Sequence, residues 1–138
     1  MFVLLFSLLE PIPNHIEPVM NPVKKLNVYQ KAFRLSIFVY KITKFFPKEE
    51  LFGLTSQMRR CAVSVPSNIA EGKGRYSDKE YVRFLAIARG SLFELQTQLD
   101  IAKEIGYIID IDDEDLKIVN ELIIEIGKML TSMINKLS

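Results

Sequence analysis

Tryptophan is absent from this 138-residue sequence, and histidine and cysteine occur once each, as His15 and Cys61. A lone cysteine cannot form an intramolecular disulfide, so a reducing, cytoplasmic setting is expected. A lone histidine in a proline-rich N-terminal stretch leaves no basis for a histidine-built metal site or general base. Glycine and proline are scarce, six of each. Four of the prolines fall at positions 11, 13, 18 and 22, which leaves most of the chain open to long helices. Long hydrophobic runs are missing too. Phe2–Leu9 is apolar, but a membrane span needs about 20 residues, and the stretch lacks the basic flank and small-residue cleavage site of a secretory signal.

What is there is an ordinary globular composition, 49% hydrophobic and 25% charged, enough to bury one core in one domain. Residues 1–19 read as an upstream extension of the reading frame, with Met20 the natural start and residues 20–138 the folded domain. The alternative is a short apolar arm that packs on a neighbour. The net charge of +1 conceals an asymmetry: Lys24–Arg75 carries +8 and Tyr76–Ser138 carries −5. Such halves fit a polyanion-binding face, head-to-tail contact between subunits, or simple pairing across the fold.

Apolar residues recur at spacings of three and four in four segments, the signature of amphipathic helices. The first begins after Asn27, a capping residue with Gln30 at the third helical position. It shows a seam of Ala32, Leu35, Val39, Ile42 and Phe46 before Pro47. A second stripe on it, Lys31, Arg34, Phe38, Lys41 and Phe45, interleaves cations and rings. That pattern suits nucleic acid or, through Phe38 and Phe45, a subunit contact. The second helix, about Leu54–Glu71, has the seam Leu54, Met58, Cys61, Val65 and Ile69. Pro66 inside it has no N–H for the Ala62 carbonyl, so a kink or local break is expected there. Ser64, Ser67 and Asn68 are placed to satisfy the freed groups, and Gly72 and Gly74 to end the helix. Ser77 and Glu80 form a capping box that opens the third helix. Its seam of Tyr81, Leu85, Ala88, Leu92, Leu95, Leu99 and Ala102 runs to Gly106. The fourth helix starts in Asp112–Asp115, whose carboxylates favour a helix N-terminus, and continues through Leu116, Val119, Ile123, Ile126, Leu130, Met133 and Leu137. Four amphipathic helices with short connections predict an all-α, antiparallel up-and-down four-helix bundle, kinked in its second helix near Pro66.

Chemistry-bearing patterns are few. Cys61 lies on an apolar seam, where it reads as a small buried hydrophobe. Asp112–Asp115 lacks calcium-loop spacing, and Gly72-Lys73-Gly74-Arg75 lacks a Walker pattern and a preceding strand. No cofactor, metal site or catalytic group is therefore expected, and the protein reads as non-enzymatic. The unusual feature is a polar corner of Arg59, Arg60, Asn68, Glu71, Lys73 and Arg75. It is either a brace around Pro66 and the glycine turn or a phosphate-binding or subunit-docking corner.

Gly53-Leu54-Thr55-Ser56-Gln57-Met58-Arg59-Arg60 and Ser64-Val65-Pro66-Ser67-Asn68-Ile69-Ala70-Glu71-Gly72-Lys73-Gly74-Arg75 resemble the signature of the 23S rRNA intervening-sequence protein family. So do Val28–Ala32, Tyr81–Leu85, Ala88–Leu92 and Glu94–Leu99. The resemblance covers nearly everything after Met20. It implies a bacterial four-helix bundle forming a homopentameric ring, with no established enzymatic activity. Some members are encoded within 23S rRNA gene insertions. A similar accessory protein of diversity-generating retroelements binds nucleic acid and a reverse transcriptase through a basic surface. Carried over residue by residue, Arg59, Arg60, Ser67, Asn68, Glu71, Lys73 and Arg75 form the signature corner. The expected nucleic-acid contacts are Lys31, Arg34, Lys41, Arg59, Arg60, Lys73 and Arg75. RNA is the first ligand to expect, then DNA. The other reading is a protein-docking scaffold whose partner is a reverse transcriptase or another protein.

Overall fold

The computed structural model describes residues 21–108 and 113–138; His15, the proposed start at Met20 and Asp112 lie outside them. Among the described residues there are four α-helices and no strands: α1 Asn27–Thr43, α2 Leu54–Lys73, α3 Asp78–Glu104 and α4 Asp113–Leu137. Short 3-10 turns, Pro22–Lys25 and Lys48–Glu50, precede α1 and α2. Helices α1 and α2, α2 and α3, α3 and α4, and α4 and α1 pack side by side, and the backbones of diagonal pairs stay apart. The result is a closed, up-and-down square.

The predicted seams line its core. Ala32, Leu35, Val39 and Ile42 from α1, Met58, Val65 and Ile69 from α2, Leu85, Leu92, Leu95 and Leu99 from α3, and Val119, Ile123, Ile126 and Leu130 from α4 are buried together. Each side chain of this size contributes about 1.5–3 kcal/mol by leaving water. That is how helices whose individual propensities are modest become a stable fold.

Local details depart from the sequence expectations. Asn27 is already helical; extended Leu26 precedes it and offers no side-chain cap. Gln30 turns back to donate to the Lys24 carbonyl at 2.8 Å, so the anticipated capping box does not form, and Asn21 instead caps the 3-10 turn. At α3 half of the predicted box is present, the Glu80 N–H donating to Ser77 Oγ, while the Glu80 carboxylate faces Arg83. The N-terminus of α2 takes its cap from a distance: the Glu50 carboxylate accepts from the Leu54 N–H at 2.8 Å and from the Tyr107 hydroxyl at 3.2 Å. Tyr107 also packs its ring at a tilt against Phe46, so one carboxylate ties the start of α2 to the segment following α3. Gly106, at φ 86°, makes the reversal after α3, a conformation that glycine adopts without strain.

Helix α2 continues through Pro66 without a break. Its freed Ala62 carbonyl is satisfied from another helix. Buried Ser36 Oγ of α1 reaches it at 2.9 Å while also lying 3.1 Å from the Ala32 carbonyl. Ser64 and Asn68, expected to serve this purpose, point instead toward α3. Gly72 is also not the cap; Gly74 is. A Cβ on Gly72 would lie 2.7 Å from Phe84 Cβ and 2.9 Å from Tyr81 Cδ2. The glycine permits the close approach of α2 and α3.

Candidate nucleic-acid interface

The basic residues singled out from the sequence do not converge on one patch. Three of them project from α1, a helix with no carboxylate of its own. Lys31 reaches across to α4 and pairs with Glu125. Both partners are substantially exposed, so the pair adds little stability, but it places a negative charge beside that lysine. Arg34 and Lys41 lie one turn to either side of Phe38, their charged groups 5.4 and 5.1 Å from its ring centroid. Neither makes an ion pair among the described residues. Phe38 is partly buried and packs on the core. Phe45, at 75% exposure, is the solvent-facing ring of the stripe.

Arg59 is turned inward. Its Nε donates to Thr43 Oγ1 at 2.9 Å, and its guanidinium stacks on Tyr40 at 4.6 Å. This joins the end of α1 to the start of α2. Thr43 in turn donates to the Val39 carbonyl, so Arg59 belongs to a structural chain. Arg60 is exposed and has no ion-pair partner among the described residues. Being consecutive on a helix, the two arginines must diverge by about 100°.

Lys73 and Arg75 lie at the opposite end of the bundle, in the turn between α2 and α3. Lys73 sits over the Tyr81 ring at 5.7 Å and Arg75 over Phe84 at 4.9 Å, with Arg83 on the same Phe84 at 5.4 Å. Arg75 also pairs with Glu71 at 2.8 Å. Asn68 donates to the Ser64 carbonyl and to Ser64 Oγ, and Ser64 Oγ meets Ser91 Oγ of α3 at 2.9 Å. Ser67 is exposed on the outer side of α2. Asn68, Glu71, Lys73 and Arg75 of the signature corner thus gather where α2 meets α3, while Arg59, Arg60 and Ser67 lie apart from them. A hydrogen-bonded Asn68–Ser64–Ser91 line and a cation–aromatic cluster hold α2 to α3 around the Gly72 contact. The Tyr81 hydroxyl beneath it is buried without a partner among the described residues, and burial pushes its pKa above the ordinary phenol value. Burial also raises the pKa of the Cys61 thiol, with Glu94 adding to the effect, which makes it a poor nucleophile at neutral pH. No cluster of three or more metal-ligating residues occurs among the described residues, and none of the helices described is long and apolar enough to cross a membrane.

The sequence reading passed over a third stripe of α1. Phe33, Ile37 and Tyr40 are each about half exposed. With Val63, Pro66 and Ala70 of α2 they line a shallow groove on the outside of the α1–α2 pair. Leu51 and the nearly fully exposed Phe52 extend it toward Arg60. The i, i+4, i+7 spacing of Phe33, Ile37 and Tyr40 was its sequence signal.

A square four-helix bundle braced at the α2–α3 corner, with an aromatic outer face, is the class of protein these features define. The chain belongs to the 23S rRNA-intervening sequence protein family, whose sequence pattern matches residues 24–132. It is also similar to a crystal structure of a protein of unknown function from the S23 ribosomal protein family of Bacteroides thetaiotaomicron. The two share 26% identity and a TM-score of 0.68, over 78% of this chain and 95% of that one. No curated protein matches the sequence.

Proposed function

We propose that this protein is a non-enzymatic, self-assembling cytoplasmic bundle, a ring of five copies by family resemblance, that binds nucleic acid through its α1 edge, RNA first. The observation that carries the nucleic-acid reading is the composition of that edge. Helix α1 bears Lys31, Arg34 and Lys41 and no carboxylate, and two of these cations flank an aromatic ring without an acidic partner. Unpaired cations beside an aromatic ring are what a phosphate backbone and an unstacked base require. Repetition around a ring would multiply a weak site into a useful one. The family's descriptive name, 23S rRNA-intervening sequence protein, is in keeping with an RNA ligand. Arg59, Lys73 and Arg75 are engaged in bracing and contribute little.

A mobility-shift titration with structured RNA tests this reading. Binding should weaken steeply between about 50 and 200 mM salt as counterions are released. Arg34→Ala with Lys41→Ala should lower affinity and flatten the salt dependence. No retention of RNA or DNA at low salt would refute it. The half-exposed aromatic groove between α1 and α2 favours a second reading, a scaffold that docks protein, since monomers rarely leave such patches open.

A further inference from the structure

We propose that the apolar N-terminal segment Phe2–Leu9 docks into the α1–α2 groove of its own molecule and covers it. This goes beyond the nucleic-acid reading and does not rest on it. Phe33, Ile37, Tyr40 and Val63 line the groove, each 42–54% exposed. Its volume is about 360 Å³, and at Tyr40 and Val63 it runs on into a second hollow of about 590 Å³, bounded by Leu51 and Phe52. A face of this kind calls for an apolar cover, and the chain itself carries one. Every residue from Phe2 to Leu9 except Ser7 is apolar. Each Phe or Leu that such a hollow takes out of water contributes about 1.5–3 kcal/mol.

The point at which the chain enters the bundle selects this groove. Pro22–Lys25 packs on α1 and α2 and on neither α3 nor α4, with Val23 fully buried. Tyr29 in the first turn of α1 and Ala70 near the end of α2 form the near end of the groove, so the preceding chain arrives beside it. The eleven residues between Leu9 and Asn21 can span about 35 Å. The groove from Tyr29 to Tyr40 follows only about 16 Å of helix. A short tether also holds the segment at a millimolar effective concentration, so a weak contact suffices. Charge agrees with this placement. Residues 1–20 carry Glu10 and Glu17 and no lysine or arginine, while the two hollows are lined by Arg59 and Arg60 and by no carboxylate. The groove between α3 and α4 is also open and lined by Lys128 and Lys136, but the entering chain touches neither of its helices. The two starting points read from the sequence thereby become two states of one surface, covered in a chain begun at Met1 and open in a chain begun at Met20.

Alkylation of a cysteine placed in the groove tests the cover. Val63→Cys in a Cys61→Ser background is made in a chain begun at Met1 and in one begun at Met20. Ile124→Cys, exposed on α4, serves as the reference thiol in the same background, and unchanged helical circular dichroism and melting show that the variants fold. A segment docked about nine-tenths of the time slows the groove thiol about 10-fold in the longer chain and leaves the reference rate unchanged. Leu5→Glu with Phe6→Glu in the longer chain should bring the fast rate back. Equal groove rates in the two chains would overturn the inference. Slowing at Ile124→Cys alone would also overturn it and assign the segment to the α3–α4 groove. Benzoylphenylalanine in place of Phe6 then identifies the molecule that is covered. In a mixture of isotope-labelled and unlabelled longer chains, cross-links should fall on the α1–α2 groove within one molecule. Cross-links that join the two isotopic forms would overturn the inference in favour of docking on a neighbour. None of these readouts involves RNA, so their failure leaves the nucleic-acid reading standing.

Discussion

The two halves of the bundle are alike inside and unlike outside. Helices α1 and α2 supply Leu35, Val39, Met58 and Ile69 to the same core as Leu85, Leu92, Ile126 and Leu130 of α3 and α4. On the surface the first pair is aromatic and basic, and the second aliphatic and rich in carboxylates. Core residues answer to one requirement, burial at native density, and so converge. Surface residues answer to partners, and their divergence is the functional signal. Even the helix contacts differ in kind. The α1–α2 contact is stitched by hydrogen bonds to single backbone and side-chain atoms, from Ser36 to Ala62 and from Arg59 to Thr43. The α2–α3 contact adds to the Ser64–Ser91 hydrogen bond a close approach of the two helices at Gly72.

The largest expected effect tests the shared interior. Leu92→Ala on α3 and Leu35→Ala on α1, both fully buried, should each cost about 2–5 kcal/mol in urea denaturation. A large disparity between them would show that one half dominates stability. Next come two glycines given the same new side chain. Gly72→Ala should destabilise by about 1–3 kcal/mol, because its methyl group meets Phe84 Cβ, which cannot swing away from the backbone. Gly90→Ala on α3, with nothing within 4 Å of the added carbon, should stabilise by about 0.5–1 kcal/mol through helix propensity alone. Equal signs would contradict the close approach at the corner.

A smaller effect tests the Pro66 arrangement. Ser36→Ala leaves the Ala62 carbonyl without its donor in a buried site and should cost about 1–2 kcal/mol. In a Pro66→Ala background, where residue 66 regains an N–H for that carbonyl, the cost should shrink by about half or more. A double-mutant cycle showing no coupling would mean that Ser36 serves only its own helix.

The smallest effect concerns Cys61. Its pKa is raised by burial first and by Glu94 second, so the folded protein holds the thiol proton more tightly than the unfolded chain. That contribution is intact below the unfolded thiol pKa of about 8.5 and is lost as pH rises through the higher folded value. Alkylation at pH 8 should be slower than for a free thiol, and Cys61→Ala should flatten the alkaline decline in stability.

The seams were legible because burial imposes a period that a sequence carries on its face. What went astray depended on neighbours. Asn27 looked like a cap, but Gln30 found the Lys24 carbonyl first. Ser64 and Asn68 stood next to Pro66 in sequence, yet the donor came from α1, 26 residues away from Ala62. Gly72 resembled a terminator, and only the crossing of α3 reveals its other purpose. The candidate site was partly legible. Arg34, Lys41 and Arg60 reach solvent as read, while the ring contacts that engage Arg59, Lys73 and Arg75 are tertiary. Phe33, Ile37 and Tyr40 were visible at helical spacing but overshadowed by the charged stripe beside them.

The central claim is an assembled bundle that carries nucleic acid, and sedimentation velocity of the full chain with fluorescently labelled structured RNA tests it most directly. Near 50 mM salt the label should sediment with an oligomer of the chain, and near 200 mM it should be largely released while the oligomer persists. Label that sediments as free RNA at both salt concentrations, beside a monomeric chain, would contradict the account.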